Sequence, residues 1–254
     1  MLREAAEYPN SFTPLGAGDE RIETERYTLC MGAARSSNTV QRQRLAGANL
    51  DEVIDEVRSL LRARGRTATQ WEVGSAAEPA GLVALLLERG LVLDRDPVAI
   101  AMALRTEPPA PAPGLVVRRV RTEDEYGAAQ EVQFEAFGAS ATEIAEQRAP
   151  APARWRDSSL MMHAVWLDGA IVGAGSSAWT PAGLAMFGGA TVPRARGRGA
   201  YRALVHARWI EAQQRGLPAL LTQGGSMSRP ILERLGFEAV GRVDMLIDDF
   251  GSGH

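Results

Sequence analysis

The sequence is poor in the residues that build disulfide frameworks and metal sites. Its 254 residues include one cysteine, Cys30, and three histidines, His163, His206 and His254. A single cysteine excludes an internal disulfide and a thiolate metal cluster, and three scattered histidines disfavour a histidine-based site. We therefore expect a protein that uses no metal.

Long apolar runs and a strong charge of one sign are also missing. The sequence contains no apolar run of about 18 residues and no charged-plus-apolar leader, which predicts a cytoplasmic protein that does not enter a membrane. A formal net charge of −3 provides no overall basic field to attract nucleic acid or anionic lipid. Apolar residues make up 45% and charged residues 23%, which is ordinary for a globular protein with a buried core.

The most informative stretch is residues 190–216, where a small apolar strand leads through a glycine-rich turn into an amphipathic helix. The turn has the sequence PRARGRG from Pro193 to Gly199, and the helix ends at Gly216. Glycine at 197 and 199 permits a positive φ and lets a ligand approach bare backbone. Free N–H groups at a helix start predict a phosphate site. The arginines around it are Arg194, Arg196, Arg198 and Arg202.

Two common glycine-rich phosphate motifs do not match this turn. The dinucleotide fingerprint requires a third glycine where the chain has Arg202, and the nucleotide-triphosphate loop requires a Gly-Lys-Ser/Thr ending that is missing. The structural alternative is an ordinary βα turn whose arginines are simply solvated.

The turn resembles the pyrophosphate-binding signature of the GNAT superfamily of acyl-CoA N-acyltransferases, Gln/Arg-x-x-Gly-x-Gly/Ala. Arg196 and Gly199 match its first two fixed positions, and Tyr201 stands where glycine or alanine is usual. Residues 228–237, SRPILERLGF, are similar to the family's short helix that ends in Leu-Gly-Phe. Two landmarks in the family's order favour an acyl-CoA site over an ordinary turn.

The resemblance implies an α/β fold with a mixed sheet and acetyl-CoA as the cosubstrate. It implies that the strand before the turn splays from its neighbour, which frees backbone groups for the pantetheine arm and the acetyl carbonyl. The backbone groups are those near Ala190, Thr191 and Val192, and the pyrophosphate ligands are Gly197, Arg198, Gly199, Ala200, Tyr201 and Arg202. Arg196, at the first fixed position of the motif, belongs to the same cofactor site. We add Ser226 to the expected cofactor site.

The acid for the leaving thiolate is not evident from the sequence. In many relatives it is a tyrosine just before the Leu-Gly-Phe end of the short helix, and here that position is Leu232. Ser226 or Ser228 acting through a water is one substitute, and unassisted departure of a thiolate with a pKa near ~8.5 is another. We select Ser228 as the catalytic candidate.

The base that deprotonates the incoming ammonium has only weak candidates in the sequence. Glu131 and Glu135 lie on the helix that usually borders the acceptor site of the family, and His163 lies on an early strand. Each of them is also compatible with a purely structural or solvated role. We select Glu135 as the catalytic candidate.

A proline-rich segment divides the chain. Residues 106–114, TEPPAPAPG, predict a linker between a region 1–105 and a region 115–254. The second region predicts the element order β, α, α, β, β, β, α, β, α, β, β, which is similar to a complete GNAT domain. In the first region we expect a loosely ordered lead-in or an edge segment over residues 1–20 and strands over 26–32 and 39–45. A helix from Asn49 to Gly65 follows, and then strand, helix and strand to Leu104.

The two regions also resemble each other. Gly74-Ser75 to Pro79 is similar to Gly225-Ser226 to Pro230, and residues 87–91 are similar to 232–237. We interpret the first region as a truncated GNAT-like copy in a tandem arrangement, with chance similarity of two αβ hairpins as the alternative. Residues 41–49 offer Gly47 alone, so the first copy is not expected to hold a pyrophosphate.

These features predict an acetyl-CoA-dependent N-acetyltransferase in which the primary amine of a small molecule or protein attacks directly in a ternary complex. A non-catalytic acyl-CoA-binding or sensing module is the alternative, and an interaction protein built from two pseudoenzymes is a third hypothesis. Tandem GNAT architectures also include aminoacyl-transfer and thiol-biosynthesis enzymes. The acceptor, the role of the first region and a homodimeric state stay open.

Overall fold

A single mixed sheet of eleven strands runs through the computed structural model, which describes residues 1–157 and 160–251. The strands are β1 (Glu20–Glu23), β2 (Thr28–Met31), β3 (Asn38–Gln41), β4 (Ala68–Gly74), β5 (Val92–Leu104), β6 (Val116–Arg119), β7 (Met161–Leu167), β8 (Ala170–Thr180), β9 (Gly183–Thr191), β10 (Leu220–Gly224) and β11 (Glu238–Asp249). The helices are α1 (Leu2–Glu7), α2 (Leu50–Arg62), α3 (Leu82–Leu87), α4 (Glu123–Phe137), α5 (Ala141–Arg148), α6 (Ala151–Arg156), α7 (Ala200–Gln214) and α8 (Arg229–Arg234). His254 lies outside the described residues.

The two halves of the chain exchange their last strands. The order across the sheet is β1-β2-β3-β4-β11-β5-β10-β9-β8-β7-β6, so β11 lies between β4 and β5, and β5 lies between β11 and β10. Each half ends in a strand, helix, strand, helix, strand unit, from β3 to β5 in the first half and from β9 to β11 in the second, and the first two strands of each unit are parallel. The tandem arrangement predicted from the internal similarity is therefore present, with one sheet shared by both copies.

Helix α2 forms as predicted because its first turn and its apolar stripe are both encoded locally. The Asn49 side chain accepts a hydrogen bond from the Asp51 N–H at 3.1 Å. Val53, Val57 and Leu61 are buried and pack against the sheet beside Trp71. The hairpin of β7 and β8 also forms as predicted, across Asp168 and Gly169, which both have a positive φ.

The prediction of a loose lead-in over residues 1–20 is wrong. Helix α1 buries Ala5 and Ala6 against Ala101, Ala103 and Leu221 of the central strands. The prolines and glycines of this stretch follow the helix, so they end it without preventing it.

The last two strands of the predicted element order are expected within residues 238–249, as a pair about Gly241. This prediction is also wrong, because β11 is one strand with an irregularity between Ala239 and Gly241. A side chain at Gly241 would collide with Glu7, so this glycine makes room for the segment that covers the sheet. Strand β11 has partners on both sides, β4 and β5, and needs no turn.

Core packing in the second half fixes α4 and α7 against different sides of the sheet. Met162 of β7 packs with Tyr126 and Val132 of α4, whereas the adjacent Met161 packs with Trp209 of α7. Within residues 1–157 and 160–251, no helix has the length and apolar character needed to cross a membrane.

Candidate functional site

Strands β9 and β10 diverge soon after they meet. Their parallel pairing is limited to Leu220 with Leu184 and Leu221 with Ala185. Beyond these pairs β9 stays on β8 and β10 stays on β5, so an opening forms between the two strands. The Thr222 hydroxyl donates to the Met186 carbonyl at 3.2 Å at the apex of this opening.

A bulge in β9 lies beside the opening. The register with β8 shifts between the pairs Ala174–Ala190 and Ser176–Phe187, which leaves Gly188 and Gly189 out of register. A Cβ at Gly188 would lie 2.6 Å from Nε2 of Gln133, and one at Gly189 would lie 2.8 Å from Cε2 of Tyr201. The two glycines therefore keep bare backbone at the mouth of the opening.

The turn after β9 leaves its backbone donors free. Gly197 and Gly199 have φ of 77° and 82°, conformations that favour glycine, and Gly199 is the N-cap of α7 without a capping side chain. Several N–H groups here have no hydrogen-bond partner among the described residues; they belong to Gly197, Gly199, Ala200, Tyr201 and Arg202. Together with the positive end of the helix dipole they form an anion-binding concavity.

A cavity of about 750 Å³ opens over this turn and is called the turn cavity below. Nine of the predicted cofactor residues line it: Ala190, Thr191, Arg196, Gly197, Arg198, Gly199, Ala200, Tyr201 and Arg202. Ser228 lines it as well. Pro109 and Ala112 of the predicted linker form another part of its wall, which the linker's composition did not indicate.

Two of the predicted cofactor residues are engaged elsewhere. The Val192 N–H donates to the Val172 carbonyl at 3.0 Å, and the Val192 carbonyl accepts from the Ala195 N–H at 3.0 Å. Ser226 is held by Asp96, whose Oδ2 accepts from the Ser226 N–H at 3.0 Å and from its hydroxyl at 3.3 Å. The structure does not bring either residue into the lining of the turn cavity.

A second cavity of about 730 Å³, called the cleft cavity below, lies between the two halves and meets the turn cavity at Phe137, Gly189 and Tyr201. Its first-half wall comes from the chain after α1 and from β2, β3 and β4, and its second-half wall comes from the β9 bulge, α7 and β10. A neighbouring cavity of about 700 Å³ shares Phe187 and Gly188 with it and extends along α4. The first half thus forms one side of the space into which the turn cavity opens.

Glu72 of β4 is a buried carboxylate in the cleft cavity. Its Oε2 accepts from Nε2 of Gln41 at 2.8 Å and from Nε2 of Gln223 at 3.0 Å. Gln223 belongs to β10, which is separated from β4 by two strands, so the sheet curves enough to bring both halves onto one carboxylate. Burial raises the pKa of Glu72. Sequence patterns gave no signal for this residue, since its role depends on the curvature of the sheet.

The sequence-predicted base candidates lie away from both cavities. Glu135 pairs with Arg194 at 3.1 Å, and Glu131 pairs with Arg148 at 2.7 Å. His163 is buried, with its Nε2 3.2 Å from Oε2 of Glu211. Burial lowers the pKa of this histidine to about 3. Leu232, at the position of the missing tyrosine, is buried in the core beneath α7. Only Ser228 of the two selected catalytic candidates lines a cavity described here.

Several solved structures have the same fold across nearly the whole chain. A tandem GNAT protein from the clavulanic acid biosynthesis pathway is 20% identical, with 90% of this chain and 79% of that chain covered and a TM-score of 0.58. A GCN5-related N-acetyltransferase from Kribbella flavida is 16% identical over 94% of this chain and 91% of its own, with a TM-score of 0.66. One from Sphaerobacter thermophilus is 16% identical over 92% and 84%, with a TM-score of 0.64. No protein-family model and no curated protein matches the sequence.

Proposed function

We propose that this chain, which has the fold of the GNAT N-acetyltransferases, is a cytoplasmic acetyl-CoA-dependent N-acetyltransferase. Its acceptor would be the primary amine of a small molecule or a protein. The observation that carries the proposal is the set of backbone N–H groups at Gly197 and from Gly199 to Arg202, which have no partner among the described residues. They open into a cavity that joins a second cavity at Gly189 and Tyr201. One cavity is suited to the donor and the other to the acceptor.

The turn would hold the pyrophosphate of acetyl-CoA. Each hydrogen bond from a backbone N–H to a charged oxygen contributes roughly 1.5–3 kcal/mol, and the helix dipole adds about 0.3–1 kcal/mol. Arg198 and Arg202 add positive charge around the same concavity. Several bonds of this strength are enough to anchor the nucleotide end of the cosubstrate.

The β9 bulge would hold the thioester. The turn cavity follows the inner end of β9 through Ala190 and Thr191 to Gly189, where the cleft cavity begins. Backbone N–H groups at the bulge are suited to stabilise the oxyanion that forms at the acetyl carbonyl. The amine nitrogen attacks that carbon, the carbon–sulfur bond breaks, and the thiolate leaves with both bonding electrons.

Glu72 replaces Glu135 in our assignment of the base. A buried carboxylate with a raised pKa is suited to take a proton from an incoming ammonium, either directly or through a water. Its two amide donors, Gln41 and Gln223, hold it at the cleft wall. Ser228 stays in the proposal as the residue that delivers a proton to the thiolate through a water from the wall of the turn cavity.

One observation favours the alternative of a non-catalytic acyl-CoA sensor. Leu232 leaves no phenol at the position from which many family members protonate the thiolate, and its buried side chain offers no proton. The sensor would share the turn cavity with the enzyme and differ only in turnover.

Release of free CoA thiol from acetyl-CoA, followed with a panel of small amines and amine-terminated peptides, distinguishes the two functions. The proposal predicts thiol release that depends on both the protein and one class of amine. Binding of acetyl-CoA with no release for any amine would favour the sensor, and no binding would contradict both functions.

A further inference from the structure

The guanidinium of Arg208, on α7, is buried with fewer hydrogen-bond acceptors around it than it has donors. Its side chain is 0% exposed, and its one hydrogen bond within the described part of the chain runs from Nη2 to the Ser176 carbonyl at 3.3 Å. Nε and Nη1 are buried without a partner there. Burial lowers the pKa of Arg208 to about 10, so the group keeps its charge at neutral pH.

Gly175 makes room for this guanidinium beside the β9 bulge. A Cβ at Gly175 of β8 would collide with Nη2 of Arg208 and would lie 3.1 Å from Cα of Gly189. Arg208 lines the cleft cavity together with Gly189 and Tyr201, the residues at which the cleft cavity meets the turn cavity. The charge therefore lies next to the point at which donor and acceptor would meet.

Glu211, the acidic group on the next turn of the helix, forms an ion pair with Arg119. Its Oε2 lies 3.2 Å from Nε2 of His163, an imidazole that burial keeps neutral. No ion pair joins Arg208 to a carboxylate among residues 1–157 and 160–251. The Tyr201 phenol and the His163 imidazole are its other polar neighbours, and neither is a counterion at neutral pH. Burial of a charge without a counterion is unfavourable, and a bound anion would offset part of that cost.

We infer that Arg208 binds a carboxylate carried by one of the two substrates, at the junction of the turn and cleft cavities. This inference rests on the proposed acyltransferase function and names its substrate class. The planar guanidinium matches the two oxygens of a carboxylate. The carboxylate can come from the free end of a dicarboxylic acyl group or from an amino-acid acceptor.

Two matched pairs of probes separate these sources. Calorimetric affinities for malonyl-CoA and butyryl-CoA compare donors with and without a terminal carboxylate. Rates of thiol release with α-amino acids and with the corresponding decarboxylated amines compare acceptors. We expect one pair to show a preference of about tenfold or more for the carboxylate, the size of one charged hydrogen bond.

Variants of Arg208 test whether that preference comes from this side chain. Arg208→Met should abolish it and Arg208→Lys should keep part of it, whereas Arg215→Met, at the exposed end of the same helix, should leave it unchanged. A preference that survives Arg208→Met, or acyl-CoA binding with no preference in either pair, would overturn the inference alone. Failure of the wild type to bind any acyl-CoA would overturn the proposed function as well.

Thermal unfolding of the ligand-free protein separates a binding role from a structural one. Because Arg208→Met removes a buried, poorly paired charge, we expect its unfolding midpoint to equal or exceed that of the wild type. A midpoint several degrees lower would show that Arg208 is retained for the fold and would overturn the inference.

Discussion

The two strand-loop-helix units of this protein have loops of equal length and opposite chemistry. Residues 42–49 connect β3 to α2, and residues 192–199 connect β9 to α7, eight residues in each case. Both loops have glycine at the sixth position, Gly47 and Gly197, and both glycines have φ of 77°. In both units the parallel strands pair at two positions only and then separate.

The first loop fills its own opening and caps its own helix. Gln43 bridges the separating strands, since its Nε2 donates to the Val40 carbonyl at 2.8 Å and to the Glu72 carbonyl at 3.1 Å. The Leu45 N–H donates to the Glu78 carbonyl at 2.9 Å, and Asn49 caps α2. The Gln43 side chain therefore fills the slot that a ligand would need between these strands.

The second loop has residues at the equivalent positions that cannot make these side-chain contacts. Pro193 stands where the first loop has Gln43, so no side chain donates across the strands, and Gly199 stands where the first loop has Asn49, so no side chain caps the helix. The comparison teaches that a ligand site on this scaffold needs an open slot between the strands and a helix start that no side chain caps.

Breaking the second loop should have the largest effect. We expect Gly199→Val to weaken acetyl-CoA binding by about a hundredfold or more, because valine disfavours φ of 82° and its Cβ would lie 3.2 Å from Cβ of Ala112. Calorimetry gives the affinity and circular dichroism checks the fold. A folded variant with unchanged affinity would show that the pyrophosphate binds elsewhere.

Removing the cleft carboxylate should slow transfer without weakening donor binding. We expect Glu72→Gln to lower the rate of thiol release about a hundredfold, the usual loss for a general base, with the acetyl-CoA affinity unchanged. Glu135→Gln, which changes the exposed carboxylate paired with Arg194, is the matched control. A slow Glu135→Gln variant beside a fast Glu72→Gln variant would reverse our assignment of the base.

The stability of Glu72→Gln should depend on pH in a defined direction. The pKa of Glu72 is higher in the folded protein than in the unfolded chain. The wild type therefore loses stability as the pH rises from the unfolded pKa to the folded pKa of this carboxyl. We expect the variant to unfold at a higher temperature than the wild type at pH ~8, with the difference shrinking as the pH falls toward about 4. An advantage that grows on acidification would contradict the raised pKa.

The smallest effect is expected from the first loop. Asn49→Ala removes the cap of α2 and should lower the free energy of unfolding by about 1 kcal/mol, while acetyl-CoA affinity stays unchanged. Urea unfolding and calorimetry on the same samples provide both values. Weaker binding in this variant would mean that the first half contributes to the donor site.

Sequence patterns predicted the elements whose ends carry local signals and missed those that depend on distant partners. Helix α2 and the β7–β8 hairpin follow from a cap and from a two-residue turn, and the tandem GNAT fold follows from motifs with fixed spacing. The exchange of β5 and β11 involves residues more than a hundred positions apart, and no local pattern encodes it. The docking of α1 depends on a surface created by that same exchange.

The candidate site divides in the same way. The turn cavity is built from one continuous segment, so most of its lining could be predicted, although its role stays a prediction. The surroundings of Glu72 and Arg208 come from strands far apart in the chain, and their importance depends on sheet curvature and burial. Glu135 shows that a correct position on a helix is not enough. The sequence placed it on the expected helix but did not indicate that its carboxylate would pair with Arg194.

Calorimetric titration of the wild type and of Gly47→Val with acetyl-CoA tests the contrast between the two loops most directly. Valine at position 47 would have to adopt a φ of 77°, close to the 82° at Gly199. The backbone strain in Gly47→Val therefore matches the strain in Gly199→Val. We predict one binding site per chain and the same affinity in both proteins. Two sites per chain, or loss of binding in Gly47→Val, would contradict the assignment of acetyl-CoA to the second loop alone.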